Sequence, residues 1–337
     1  MARYPSIRRS RRRGWPQRRV YIISALLIIA IAYCAYRIAH PGTRTTPEAL
    51  TDTNPTLLPL VPRSEAEAEP NLSAIAPEPS SEPNLQVAEL IAEAMALLDA
   101  KPAKIIDARN RLNETLPMPM SRQQQALVKK QLSELADKWL FSRTIFPEDR
   151  LCGLYKVKPG DQLRTIGKLH KVPYEILTQI NKISRPEALQ AGVAIKVING
   201  PFHARIYRST FTMDLYLQNT FVRSFPVGLG KPGMETPTGL WAVKPDGKLI
   251  KPTWPDPVTG KVYQPEDPDY PLGSRWIGLE GIKGEAVDRT GFAIHGTKEP
   301  SQIGTTTSQG CIRLHNGNVI LIYNLLVPRY SRVEIVE

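Results

Sequence analysis

Residues 308–314 read Ser308-Gln309-Gly310-Cys311-Ile312-Arg313-Leu314, and within Ile294-His295-Gly296-Thr297 the histidine lies 16 positions before the cysteine. Ile312 and Leu314 alternate with Cys311, Arg313 and His315, the period-2 pattern of a strand with one buried face. Phe292 and Ile294 alternate with Ala293 and His295 in the same way, so a second strand is expected to end at Gly296. A free thiol near pKa ~8.5 is mostly protonated at neutral pH and attacks well only as thiolate. An imidazole within hydrogen-bond reach removes that limit, which is why acyl-transfer enzymes pair Cys with His. Gly310 leaves the nucleophile's backbone unobstructed, so N–H groups at Gly310 and Cys311 are expected to face a developing oxyanion.

Working outward, residues 202–337 read as mostly β. Ala204–Tyr207, Thr212–Leu217 and Phe221–Phe225 alternate and are separated by turn signals. Glycine and proline are dense from Gly228 to Gly284, as in a sheet domain with long loops. Lys244–Tyr270, heavy in Pro and Asp with Trp254 and Tyr263, reads either as a lid or as irregular surface. One short helix is expected over Asn318–Leu326, after a turn at Asn316-Gly317-Asn318, and a terminal strand over Arg332–Val336. His315 shares the predicted face of Cys311 and is read as a strand-end residue.

On these residues the stretch 202–337 resembles the catalytic domain of the bacterial L,D-transpeptidases, cysteine enzymes that remodel peptidoglycan. His295-Gly296 and Ser308 through Leu314 match that family's pattern. So do Thr236-Pro237-Thr238-Gly239 and Pro271-Leu272-Gly273-Ser274-Arg275-Trp276. Gln309 stands where many members have a second His. The resemblance implies that Cys311 is the nucleophile and His295 its base, with the Gly296 carbonyl holding the imidazole tautomer. Ser308, Arg313 and Gln309 would line the substrate site. The implied reaction is attack on the amide before a terminal D-Ala of a tetrapeptide stem, then aminolysis of the thioester to give a 3→3 cross-link. Water as acceptor would make the same site an L,D-carboxypeptidase. An inactive wall-binding adaptor is the alternative from a different class.

Upstream, Tyr155-Lys156-Val157-Lys158-Pro159-Gly160-Asp161, then Ile166, Val172, Leu177, Asn181 and Ile195-Lys196-Val197, outline a βααβ module over 153–199. It resembles a lysin-motif (LysM) domain, a family that binds N-acetylglucosamine-containing glycan. Asp161 is expected to cap the first helix. Residues 85–145 carry apolar positions at helical spacing, with Pro102 in the first turn of a second helix and Ser121 capping a third. They form a small helical region, loosely tetratricopeptide-like, serving as a spacer or a docking module.

The formal charge of +12 is concentrated at the N-terminus, where residues 1–37 hold nine arginines and no acid. The remainder balances 35 basic against 32 acidic side chains, so nucleic acid is not an expected partner. Val20–Tyr36 is an uncharged, mostly apolar run of 17 residues. It reads as a retained single-pass anchor over 20–37, with a basic cytoplasmic tail over 1–19 and the catalytic part in the periplasm or cell wall. A cleaved signal peptide is the rival. The Pro-rich segment 38–84 reads as an extended spacer. Three cysteines are too few for a disulfide framework. No cofactor is expected, and no metal, since the five histidines show no ligand spacing. The chain is thus expected to be multidomain: an anchor, a helical region, a βααβ module and a mostly-β catalytic domain acting on peptidoglycan.

Overall fold

The computed structural model describes Ser80 and residues 82–337. The basic tail, the expected membrane anchor and nearly all of the Pro-rich segment lie outside those residues. No helix among the described residues is long and apolar enough to cross a membrane.

Three helices open the described chain: α1 (Leu85–Asp99), α2 (Ile105–Thr115) and α3 (Arg122–Trp139). Asn84 caps α1 by accepting from the N–H groups of Gln86 and Val87. Ser121 and Gln124 form a reciprocal capping box at the start of α3, which satisfies two orphan donors at once. Pro102 falls short of α2, which begins at Ile105 without a side-chain cap, so the proline precedes the helix rather than entering it. Val87, Ile106, Leu112, Val128, Leu132 and Trp139 converge in the bundle interior.

The next module pairs β1 (Cys152–Lys156) antiparallel with β2 (Ala194–Ile198) around α4 (Leu163–Leu169) and α5 (Tyr174–Asn181). Asp161 does not cap α4. Its carboxylate accepts from Tyr155 Oη and the Lys158 N–H, closing the preceding turn, and Gln162 takes the N-cap position without a side-chain bond. Buried Asn181 accepts from the Lys196 N–H at 2.7 Å and donates to the Lys196 carbonyl at 2.8 Å, so a side chain fills the place of a strand partner.

The last module is a mixed eight-stranded sheet in the order β13-β11-β10-β7-β14-β3-β4-β5. The strands are β3 (Phe202–Tyr207), β4 (Thr212–Leu217), β5 (Thr220–Pro226), β7 (Gly239–Leu249), β10 (Trp276–Lys283), β11 (Ala293–His295), β13 (Ile312–Arg313) and β14 (Arg332–Val336). β6 (Leu229–Gly230) pairs with β12 (Thr306–Ser308), and β8 (Trp254–Pro255) with β9 (Val262–Tyr263). The stretch from Lys244 is therefore strand as far as Leu249, and only beyond it a hairpin. The single α-helix of this module, α6, spans Asn316–Tyr323, so Asn316 opens a helix where a turn was expected.

The helical region is packed against the sheet. Lys129 of α3 pairs with buried Asp214 of β4 at 2.7 Å, and Asp137 with Arg223 of β5 at 2.6 Å. Asn113 accepts from the Phe221 N–H at 2.9 Å. The helices thus cover one end of the sheet. They also hold the βααβ module, because Lys196 of β2 donates to the carbonyls of Trp139, the last residue of α3, and of Ser142 and Thr144 beyond it. Those carbonyls are the unsatisfied C-terminal groups of the helix and the turn behind it.

Candidate active site

The site lies at the opposite edge of the sheet, on β11 and β13. These two strands run parallel, with Ile294 opposite Ile312 and His295 opposite Arg313. Ile294, Ile312 and Leu314 are fully buried on the core side. Paired residues share a face, so His295, Arg313 and Cys311 (two residues before Arg313) project together on the other side. β11 is nevertheless buried throughout, because Ala293 and His295 are covered as well as Ile294. The alternation read for residues 292–295 marks sidedness, not exposure.

His295 is held on several sides. Trp276, its register partner on β10, stacks on the imidazole at 5.5 Å between centroids. Nδ1 lies 2.6 Å from the Gly296 carbonyl oxygen. A carbonyl only accepts, so Nδ1 carries the proton and Nε2 keeps its lone pair. Burial pushes the imidazole down to about 4, Arg313 adds to the depression, and the facing carbonyls of Gly296 and Leu272 oppose it. The ring is therefore neutral at neutral pH.

Cys311 is partly exposed and free. Its Sγ is 3.6 Å from the Gly291 carbonyl, and no hydrogen bond joins it to the His295 ring among the described residues. Burial pushes the thiol up to about 11, against the Ala293 N–H and the Arg313 charge, which favour the thiolate. Sulfur and imidazole thus share one face of neighbouring segments as diagonal neighbours, both uncharged. They are not a preformed ion pair. The other described cysteine, Cys152, is buried against β2 and its thiol is pushed up by desolvation.

The loop before Cys311 is fixed from inside. Ser308 is buried, donates to the Cys311 carbonyl at 2.6 Å and accepts from the Gly310 N–H at 3.1 Å. It braces the turn from inside and occupies the Gly310 N–H expected to face an oxyanion. The Cys311 N–H makes no hydrogen bond among the described residues and is the donor left over. Thr236 completes the brace, accepting from the Gly230 N–H at 3.0 Å and donating to the Gly310 carbonyl at 2.8 Å. Gly310 has φ +107°, and a Cβ there would press on Phe292 at 2.7 Å, so no other residue fits.

Arg313 is anchored to Gln302 at 2.5 Å and, more weakly, to Thr307 at 3.4 Å. Gln309 is exposed, and its side chain reaches Asp256 in the β8–β9 turn, where the carboxyl is held below its usual range chiefly by the Val258 N–H. The hairpin therefore touches the nucleophile loop. Three residues at the site carried no role in the sequence reading. Thr236 and Trp276 were visible only as members of matching segments, and Asn316 was read as a turn. Its amide joins two segments around His295, accepting from the Ser274 N–H at 3.0 Å and donating to the Thr297 carbonyl at 2.8 Å.

A βααβ module is thus fixed beside a mixed sheet whose edge brings Cys311, just before β13, onto one face with His295 of β11. Family models agree on both modules: the L,D-transpeptidase catalytic domain (YkuD) matches residues 201–335, and the LysM domain residues 155–197. Three bacterial proteins that carry the name L,D-transpeptidase are similar. YkuD of Bacillus subtilis (strain 168) is 30% identical over 188 residues, 54% of this chain and 97% of that protein. YkuD of Bacillus licheniformis is 28% identical over 54% of this chain and 98% of that protein. ErfK/SrfK of Escherichia coli (strain K12) is 31% identical over 48% of this chain and 49% of its own length. The chain belongs to the L,D-transpeptidase family.

Proposed function

We propose that this protein is a peptidoglycan L,D-transpeptidase that works through a Cys311 thioester. The observation that carries the reading is the placement of Cys311 and a neutral His295, with Nδ1 protonated, on one face of two adjacent parallel strands. Diagonal neighbours on one sheet face lie roughly 7–8 Å apart at Cα, within reach of side-chain rotation. Rotation about the Cys311 side chain, away from the Gly291 carbonyl, brings Sγ toward Nε2; catalytic hydrogen bonds of this kind often tighten only with substrate bound.

In the first step Nε2 takes the thiol proton as Sγ bonds to the carbonyl carbon of the stem amide. The Cys311 N–H receives the developing oxyanion. The C–N bond then breaks, the imidazolium returns its proton to the departing D-Ala amine, and a thioester remains. A side-chain amine of a second stem attacks the thioester, loses its proton to His295, and leaves a 3→3 cross-link with the thiol restored. Arg313 and Gln309 bound the substrate side, while Ser308 acts by bracing the loop. The LysM module supplies attachment to the glycan of the same polymer. Residues 20–37 would anchor the chain in the cytoplasmic membrane, with the enzyme outside it.

Mass spectrometry of tetrapeptide stems incubated with the protein tests this reading. Release of D-Ala together with a cross-linked dimer is expected, and Cys311→Ala should yield neither. D-Ala release without dimer would make the protein a carboxypeptidase. No acyl-enzyme and no product would leave a wall-binding adaptor.

A further inference from the structure

The groups that hold His295 in place are backbone carbonyls, and a carbonyl is only as well aimed as the segment that carries it. Two such carbonyls face the imidazole, those of Gly296 and Leu272. They belong to separate stretches of chain, one leaving β11 and one leading into β10. Asn316, at the first position of α6, is bonded to both: its Nδ2 donates to the carbonyl of Thr297, next to Gly296, and its Oδ1 accepts from the N–H of Ser274, two residues past Leu272. Ser274 Oγ adds a weaker contact to the Asn316 carbonyl at 3.4 Å. The fit is close enough that a Cβ on either Gly273 or Gly296 would collide with Asn316 Oδ1. Apart from the imidazole itself, Asn316 is the side chain seen to bond both stretches among the described residues.

We propose that Asn316 is the positioning residue for His295, fixing the Gly296 carbonyl that selects its tautomer and the Leu272 segment that faces its ring. Enzymes with a Cys–His or Ser–His pair commonly orient the histidine with a third side chain. Here that job is divided: a carbonyl touches the ring, and an amide one step removed aims the carbonyl. The amide suits this role because it offers one donor and one acceptor at fixed separation. An aspartate at the same position can accept from Ser274 but cannot donate to Thr297. This inference deepens the proposed function and shares its assignment of His295 as base.

The test compares the full chain with Asn316→Ala and Asn316→Asp. Nitrogen-15 imidazole spectra report the His295 tautomer, and the pH dependence of Cys311 alkylation by iodoacetamide reports the coupling of ring to thiol. Both variants are expected to lose the single Nδ1-protonated signature. Alkylation near neutral pH should slow by about tenfold to a hundredfold, as a misplacement of about 1 Å can cause. If Asn316→Ala does not fold, the nearly isosteric Asn316→Asp carries the test. Variants that keep the wild-type tautomer and alkylation profile overturn the proposal, even if they melt earlier, because that pattern marks a merely structural contact. Absence of turnover on stem peptides, with the tautomer and alkylation effects present, would refute the proposed reaction and leave this role standing.

Discussion

Trp276 lies nearly flat on His295, the ring planes within 15° and the centroids 5.5 Å apart. The stack is dictated by register, since β10 and β11 pair the two residues directly. It keeps water from one face of the imidazole, and burial is the main reason the ring is pushed down to about 4. A neutral base is thereby retained well below the ordinary histidine range.

Trp276→Ala opens that face to water. His295 should rise toward its ordinary value of about 6.5, and the acid limb of kcat/KM should move upward from near pH 4 by one to two units (roughly, from that interval). A pH–rate profile on stem peptides checks this. An unmoved acid limb would mean that the limb belongs to another group.

Ser308→Ala removes the hydroxyl that joins the Cys311 carbonyl to the Gly310 N–H. Two backbone groups of the nucleophile loop lose their partner, at a cost of about 1–2 kcal/mol in stability. Acyl-enzyme formation should slow by about tenfold or more as the thiol loses its fixed position. Time-resolved intact-mass measurement separates this from a simple loss of folded protein.

Lys129→Met leaves Asp214 buried without its cation, 2.7 Å away in the native chain. Removing one partner of a buried pair is costly, and about 3 kcal/mol of stability should be lost. Urea unfolding provides the measure. A loss below about 1 kcal/mol would show that Ser224 and Tyr216, which also bond Asp214, suffice to hold its charge.

Stability should fall between about pH 6.5 and pH 4. His203 and His295 are both buried and pushed down to about 4, chiefly by desolvation. His203 also accepts from the Arg332 N–H through Nδ1, a bond its protonated ring cannot make. Below about 6.5 the unfolded chain binds protons that the folded chain refuses. Each ring therefore costs up to roughly 3 kcal/mol by pH 4, with no further loss from these two groups below it. His203→Gln should reduce the acid sensitivity in chemical denaturation without moving the acid limb of activity.

Much of this was legible in the chain. Strand periodicity placed Thr212–Leu217 and Arg332–Val336 where the structure has β4 and β14, and it set Ile312 and Leu314 on the core side. Ser121 announced the third helix through its capping chemistry, which is local. The failures were of another kind. Asp161 is a good cap by type, yet Tyr155 and the Lys158 N–H take its carboxylate. Asn316-Gly317-Asn318 has the composition of a turn, yet tertiary contacts make its first residue the start of a helix. The internal bonds that Ser308 makes to the Cys311 carbonyl and the Gly310 N–H leave no local signal either.

Residue type, spacing and alternation along the sequence determined the outline of the modules and the faces of the strands, because those follow from local geometry. Only the tertiary structure decided which hydroxyls and amides are spent internally and that the helical region clamps both other modules. It also decided that thiol and imidazole rest uncharged. Those outcomes depend on desolvation and on hydrogen bonds between residues far apart in sequence, such as Thr236 with Gly310, which no local pattern records.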